Sequence, residues 1–131
     1  MSRPLTDYGV PQFSSISEAN TWIYKHIGYD HSRPYYWQTP EQTLQREAGD
    51  CKDLDLLLLY IAHIQFGTEG SLIIVSTGDN TTRHAVSMIS EWYYDPTWGG
   101  SLEYLPFTEI ETIPYYSAVS RASTYHFLAS M

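Results

Sequence analysis

The feature that most limits this chain lies in residues 54–64, where Leu54, Leu56, Leu57, Leu58, Leu59, Tyr60, Ile61, Ala62 and Ile64 leave almost no polar stripe. A helix that is apolar on nearly every side must be covered on nearly every side, so the rest of the sequence has to wrap it. Its limits are marked by individual residues. Gly49 breaks whatever precedes it, Asp50 is suited to cap a helix start, and Gly67 is suited to the left-handed position that ends one.

Cys51, the only cysteine of the chain, stands directly after that cap. A single cysteine makes no internal disulfide, so the question it raises is reactivity. Unsatisfied N–H groups and partial positive charge at a helix start favour a thiolate there. Taken alone, a free cysteine is more often an inert buried thiol. A histidine and a carboxylate within reach would change that, because together they make a nucleophilic triad.

After Gly70 the pattern takes the period of strands: residues 71–76 and 83–89 form two runs, 77–80 carry turn chemistry between them, and 91–95 form a third run. This half is predicted to be an antiparallel meander. A return through Ser90 and Glu91 pairs the second run with the third and brings His84 and Asp95, eleven positions apart, to adjacent ends of neighbouring strands. Beyond Pro96, Gly99, Gly100 and Pro106 indicate loop with at most one strand before Pro114, and residues 115–128 suit either a helical face or a closing strand.

Upstream of the apolar helix, Pro4, Gly9 and Pro11 mark residues 1–15 as an irregular lead-in. Ala19, Trp22, Ile23, His26 and Ile27 then recur at helical spacing, with Ser17 as cap and Gly28 as stop. Residues 28–34 suit a loop, and Tyr35, Tyr36 and Trp37 place three rings in a row. Thr39, Pro40, Glu41 and Gln42 combine a cap, a first-turn proline and a capping-box glutamine, starting a short helix that runs to about Ala48.

The length of 131 residues suits one domain, 1–131, large enough to bury a core. Seven basic residues against fifteen acidic ones, a net charge of −8, provide no basic stripe for phosphates and argue against nucleic-acid binding. No segment approaches the ~20 apolar residues that cross a bilayer, and the N-terminus lacks a continuous apolar signal core. The expectation is a soluble chain without membrane insertion, cytoplasmic as written, or periplasmic or secreted if a leader has been trimmed.

Four ordered motifs now stand together: Trp37-Gln38-Thr39-Pro40-Glu41, Gly49-Asp50-Cys51-Lys52-Asp53, His84-Ala85-Val86 and Tyr94-Asp95-Pro96. In order and context they resemble the transglutaminase-like superfamily, most closely the bacterial transglutaminase-like cysteine protease family, over about residues 16–96. The resemblance implies an α+β, papain-like core in which a buried helix in the N-terminal half carries Cys51 and packs on an antiparallel sheet carrying His84 and Asp95. It implies Cys51 as nucleophile, His84 as the base that takes the thiol proton and returns it to the leaving amine, and Asp95 as the group orienting His84. The Cys51 backbone N–H is one donor for the oxyanion, and Gln38 or the Trp37 indole is the candidate for a second. The family's flanking acids are associated with calcium; here Lys52 replaces one of them, so no cofactor and no metal is expected.

The function implied is a thiol hydrolase that cleaves peptide or isopeptide amides of a protein or peptide substrate through an acyl-enzyme. The same triad serves a transamidase or a glutamine deamidase, since water and amines intercept the same intermediate. A non-catalytic interaction module that keeps the fold is the alternative from another class. Trp92 and Trp98, with Tyr93 and Tyr94, are candidates for a substrate cleft, although strand aromatics more often pack a core. His26 and His31 straddle a predicted helix end and suit a structural or exposed role better than a metal site. His63 suits the core or an interface.

Overall fold

The computed structural model describes residues 3–32, 36–76 and 83–129, the stretch 125–129 as helix backbone. Tyr35 of the aromatic triplet, the turn expected at 77–80 and the side chain of His126 lie outside what is described. In chain order the elements are a 3-10 turn at Leu5–Tyr8, α1 (Ile16–His26), β1 (Gly28–Tyr29), α2 (Pro40–Arg46), β2 (Ala48–Gly49), α3 (Cys51–Phe66), β3 (Ser71–Ser76), β4 (Arg83–Ile89), β5 (Trp92–Asp95), β6 (Gly100–Leu102), β7 (Thr108–Pro114) and α4 (Tyr115–Ala129).

The apolar helix is where the sequence places it. Ten of the sixteen residues of α3 are buried, and Leu54, Leu56–Leu59 and Ile61 are at most 1% exposed, so the helix is enclosed as its composition demands. Helices α1, α2 and α4 pack around it, and one face of a sheet covers the rest. Burying each such side chain contributes about 1.5–3 kcal/mol before the entropy of ordering the chain is charged against it.

That sheet has five antiparallel strands in the order β6-β5-β4-β3-β7. β3 to β5 form the expected meander, and β6 extends it by one strand. The β4–β5 hairpin turns through Ser90 and Glu91, both left-handed with φ of 51° and 70°, the two-residue turn whose twist suits a hairpin. Leu72, Ala85 and Ile89 face α3, while Ile73, Val75 and Val86 form a second, smaller apolar cluster on the outer face.

Four expectations need correction. Ser15, not Ser17, caps α1, because its hydroxyl accepts the Glu18 N–H at 3.1 Å. The lead-in is not merely irregular: Leu5, Val10 and Phe13 are buried in the main core. The loop after α1 begins with β1, which pairs in parallel with β2, matching Gly28 with Ala48 and Tyr29 with Gly49. After Pro96 there are two strands rather than at most one; β7 crosses over to pair with β3, and the following ambiguous segment is the helix α4.

Candidate active site

Cys51 is the first residue of α3, and the turn beneath it is tightly bound. Asp50 caps the helix by accepting the Asp53 N–H, and the Asp53 carboxylate answers by accepting the Asp50 N–H at 3.1 Å, a complete capping box. Asp53 Oδ1 also accepts the Gln38 N–H at 2.9 Å, which ties the segment before α2 to the start of α3. Gly49 is required by this closeness, since a Cβ there would stand 2.7 Å from Asp53 Cβ. The result is a rigid backbone at Cys51 whose own N–H, at the first helical position, has no partner within the helix.

β4 and β5 pair only over Ser87↔Tyr94 to Ile89↔Trp92, so the first half of β4 has no β5 partner. At this gap the Ala85 N–H donates to the Cys51 sulfur. The thiol is thereby placed against the peptide that follows His84. Burial pushes its pKa up to about 12, the charges of Asp55 and Asp50 add to the rise, and the Ala85 hydrogen bond and Lys52 oppose it. The resting group is a neutral thiol, not the thiolate that the helix N-terminus alone would favour. Lys52 is itself buried and ion-paired with Asp50, which weakens its pull on the sulfur.

His84 Nε2 and Asp95 Oδ2 are 2.6 Å apart. The other carboxylate oxygen of Asp95 accepts the Thr97 N–H at 3.0 Å and the Thr97 hydroxyl at 2.5 Å. Burial alone would raise the Asp95 pKa, but the bonds from His84 and Thr97 outweigh it and hold the carboxyl below its ordinary value. With Nε2 committed to Asp95, exchange of a proton with a thiol has to use Nδ1.

Beside this pair opens a cavity of about 490 Å³, whose lining includes His84, Asp95, Trp98 and Phe107. Trp98 therefore stands at a cleft. Trp92 does not line it; its partner in the sheet is Ile89 at the hairpin end. Gln38 is not placed to stabilise an oxyanion: it is 1% exposed, its side-chain amide donates to Thr43 Oγ1 and to the Ala48 carbonyl at 3.0 Å each, and its oxygen accepts from Arg46. Trp37 lies with Lys52 Nζ 5.8 Å and the Arg121 guanidinium 5.2 Å from its ring centre.

The carboxylates flanking Cys51 do not suit calcium. Asp50 faces the Lys52 ammonium, and both oxygens of Asp53 take backbone N–H groups. Among the described residues no group of three or more His, Cys, Asp or Glu side chains is arranged to hold a metal ion. His26 stacks on Trp22 with ring centres 4.7 Å apart, His31 stacks on Tyr29 at 6.2 Å, and His63 stacks on Tyr115 at 4.8 Å. Among the described residues no helix is long and apolar enough to cross a membrane.

Three residues at the site were not singled out from sequence. Thr97 clamps Asp95, and the Asp-Pro-Thr sequence, a turn in which the aspartate accepts from two residues ahead, is the signal that would have found it. Tyr29 is brought beside Gly49 by the β1–β2 pair, and its phenol is pushed up to about 12 by burial, then by Cys51, Asp50 and Asp95. Asp55 is fully buried one turn after Cys51, with Oδ1 accepting the Ser87 hydroxyl at 2.8 Å and Oδ2 without a partner. Burial, then the charge of Asp95, raises it well above the usual carboxylate range.

No family model and no curated protein matches this chain. Solved structures that share its fold include the following two. A candidate cysteine protease from Cytophaga hutchinsonii is 18% identical and aligns with a TM-score of 0.56, over 82% of this chain and 39% of that one. LapG of Legionella pneumophila is 13% identical with a TM-score of 0.58, over 86% of this chain and 66% of its own. The chain thus spans about two fifths of one relative and just under two thirds of the other, and at these identities the likeness is one of fold.

Proposed function

We propose that this chain is a thiol hydrolase of peptide or isopeptide amides, with Cys51 as nucleophile, His84 as general acid and base, and Asp95 as the residue that orients His84. The observation that carries the reading is the 2.6 Å His84–Asp95 pair on the strand whose next N–H, that of Ala85, contacts the Cys51 sulfur. A protein with the same fold described as a candidate cysteine protease supports it.

Because the resting group is a thiol, its proton leaves for His84 Nδ1 as the sulfur attacks the amide carbonyl, rather than beforehand. The oxyanion forms beside the Cys51 N–H. The tetrahedral adduct collapses, the carbon–nitrogen bond breaks, and the amine departs with the proton from His84. Water, deprotonated by His84, then cleaves the thioester and regenerates the thiol. Asp95 keeps the imidazole in one tautomer and stabilises it while charged.

The test is digestion of a defined peptide mixture followed by mass spectrometry. Wild-type protein is expected to give chain cleavage, with loss of about 10³-fold or more in Cys51→Ala and His84→Ala. Crosslinked products or the mass gain of deamidation would assign the same triad to a transamidase or a deamidase. Cleavage that survives Cys51→Ala would end the proposal.

A further inference from the structure

We propose that the cavity beside His84 and Asp95 is a substrate subsite that takes one bulky apolar side chain, aromatic or leucine-like, next to the amide being cleaved. This rests on the hydrolase reading and adds the class of substrate to it.

Strand alternation puts His84 on the same face of β4 as Val86, and Asp95 on the same face of β5 as Tyr93. Val86 belongs to the outer apolar cluster, and Tyr93 and Leu105 pack against that cluster. The catalytic pair and the apolar patch therefore share one face of the sheet, and the cavity runs from one to the other. Its volume of about 490 Å³ lies within the range of roughly 300–1,000 Å³ typical of small-ligand sites.

The wall that encloses it is built for the purpose. Trp98 is 54% exposed, which is wasteful for the largest apolar side chain unless something covers it. Its backbone is nonetheless fixed: the backbone N–H groups of Trp98 and Gly99 donate to the Asp95 carbonyl at 3.3 and 2.8 Å. The indole also lies so close over Gly100 that a Cβ there would fall 1.7 Å from two ring carbons. Only glycine at position 100 permits that placement. Phe107, 39% exposed, also lines the space, together with Leu102 and Leu105.

A side chain entering this space meets apolar groups and rings, with the His84–Asp95 pair at one end. Arg83, Thr97 and Ser101 also contribute to the lining, but most of it is apolar side chain and ring, so an apolar group has more surface to cover there than a polar one has partners. A large apolar side chain covers part of this lining with room to spare, next to the His84–Asp95 pair that borders the space; Cys51 itself does not line it.

The binding arm of the test uses Cys51→Ala protein, which cannot turn over, titrated with N-acetyl-phenylalanine amide and with N-acetyl-glycine amide and followed by NMR of the Trp98 indole and the Leu102 and Leu105 methyls. Shifts with the phenylalanine compound and none with the glycine compound are expected. Equal responses, or shifts that miss Trp98, would overturn the subsite. The kinetic arm compares peptides that differ only in phenylalanine or alanine beside the scissile bond. Wild type should prefer phenylalanine in kcat/KM by about ten- to a hundredfold, the value of burying such a side chain. That ratio should fall at least tenfold in Leu105→Trp, which narrows the cavity from its apolar wall, and in Gly100→Ala, which displaces Trp98. An unchanged ratio in both variants would also overturn the proposal. If the amides bind at Trp98 but no peptide is cleaved, the hydrolase reading fails while the apolar site stands; cleavage without side-chain preference fails the subsite alone.

Discussion

Cys51 is held from behind, by a buried helix start whose carboxylates are bound to backbone N–H groups, whereas His84 and Asp95 are held from the side, by strand register and a turn at Thr97. The first arrangement shares its atoms with the core. The second lies at the rim of the sheet, beside a cavity lined by partly exposed rings. Placing the proposed nucleophile is therefore tied to folding in this molecule, and placing its proposed base is much less so. Changes on the two sides should separate into those that lower stability and activity together and those that lower activity alone.

The sharpest contrast should come from Asp95→Asn. It keeps the shape but removes the charge that selects the His84 tautomer, and kcat should fall by about 10²–10⁴ while the thermal midpoint drops by only a few degrees. Turnover on the proposed peptide substrates and calorimetry are the two readouts. Asp53→Ala is the counterpart on the other side. It strands the N–H groups of Gln38 and Asp50 in a buried setting, at about 1–3 kcal/mol for each, so urea unfolding should show roughly 2–6 kcal/mol lost. A stable but inactive Asp53→Ala, or an unfolded Asp95→Asn, would break the division.

A third test is pH. Burial and the charge of Asp50 hold Asp53 up to about 7, and burial and Asp95 raise Asp55 well above its ordinary range. Between the ordinary carboxylate range and neutrality the folded state then keeps protons that the unfolded chain releases. Their contribution is fully present at low pH and is lost as pH rises. Asp95 has the opposite sign, its contribution being lost only as pH falls through its depressed value. Asp55→Asn should match wild type near pH 4 and exceed it by several degrees in thermal midpoint at pH 8. Parallel curves would show that the Asp55 carboxyl is not raised in the folded state. The smallest effect is expected from Thr97→Val, which removes the hydroxyl bond to Asp95 and leaves the backbone one. Turnover should drop severalfold to about tenfold with little change in unfolding.

What the sequence discloses is what neighbouring residues decide. Asp50 and Gly67 bound α3, Thr39 to Gln42 start α2, and a two-residue turn at Ser90 and Glu91 brings His84 to Asp95. What it conceals depends on distant partners. β1 and β2 have two residues each, too few for any period to register. Gln38 resembles an oxyanion donor until Thr43, Ala48 and Arg46 are found around its amide. Asp55 interrupts an apolar run, and nothing near it indicates that Ser87, thirty-two positions later, is its partner. The protonation of Cys51 was equally hidden, since it reflects burial and that same aspartate more than the helix end.

The crossover of β7 onto β3 has a consequence for the order in which the molecule is made. By the time β6 leaves the ribosome, the helix with Cys51 and the strands with His84 and Asp95 have all been synthesised, yet β3 still has a bare edge, with Leu72, Ile73 and Val75 on it. Such an edge is a template for pairing with another chain. A nascent or proteolysed product lacking residues 108–114 would carry the full set of candidate catalytic residues and an adhesive strand, so the last strand acts as the chain's own guard against self-association.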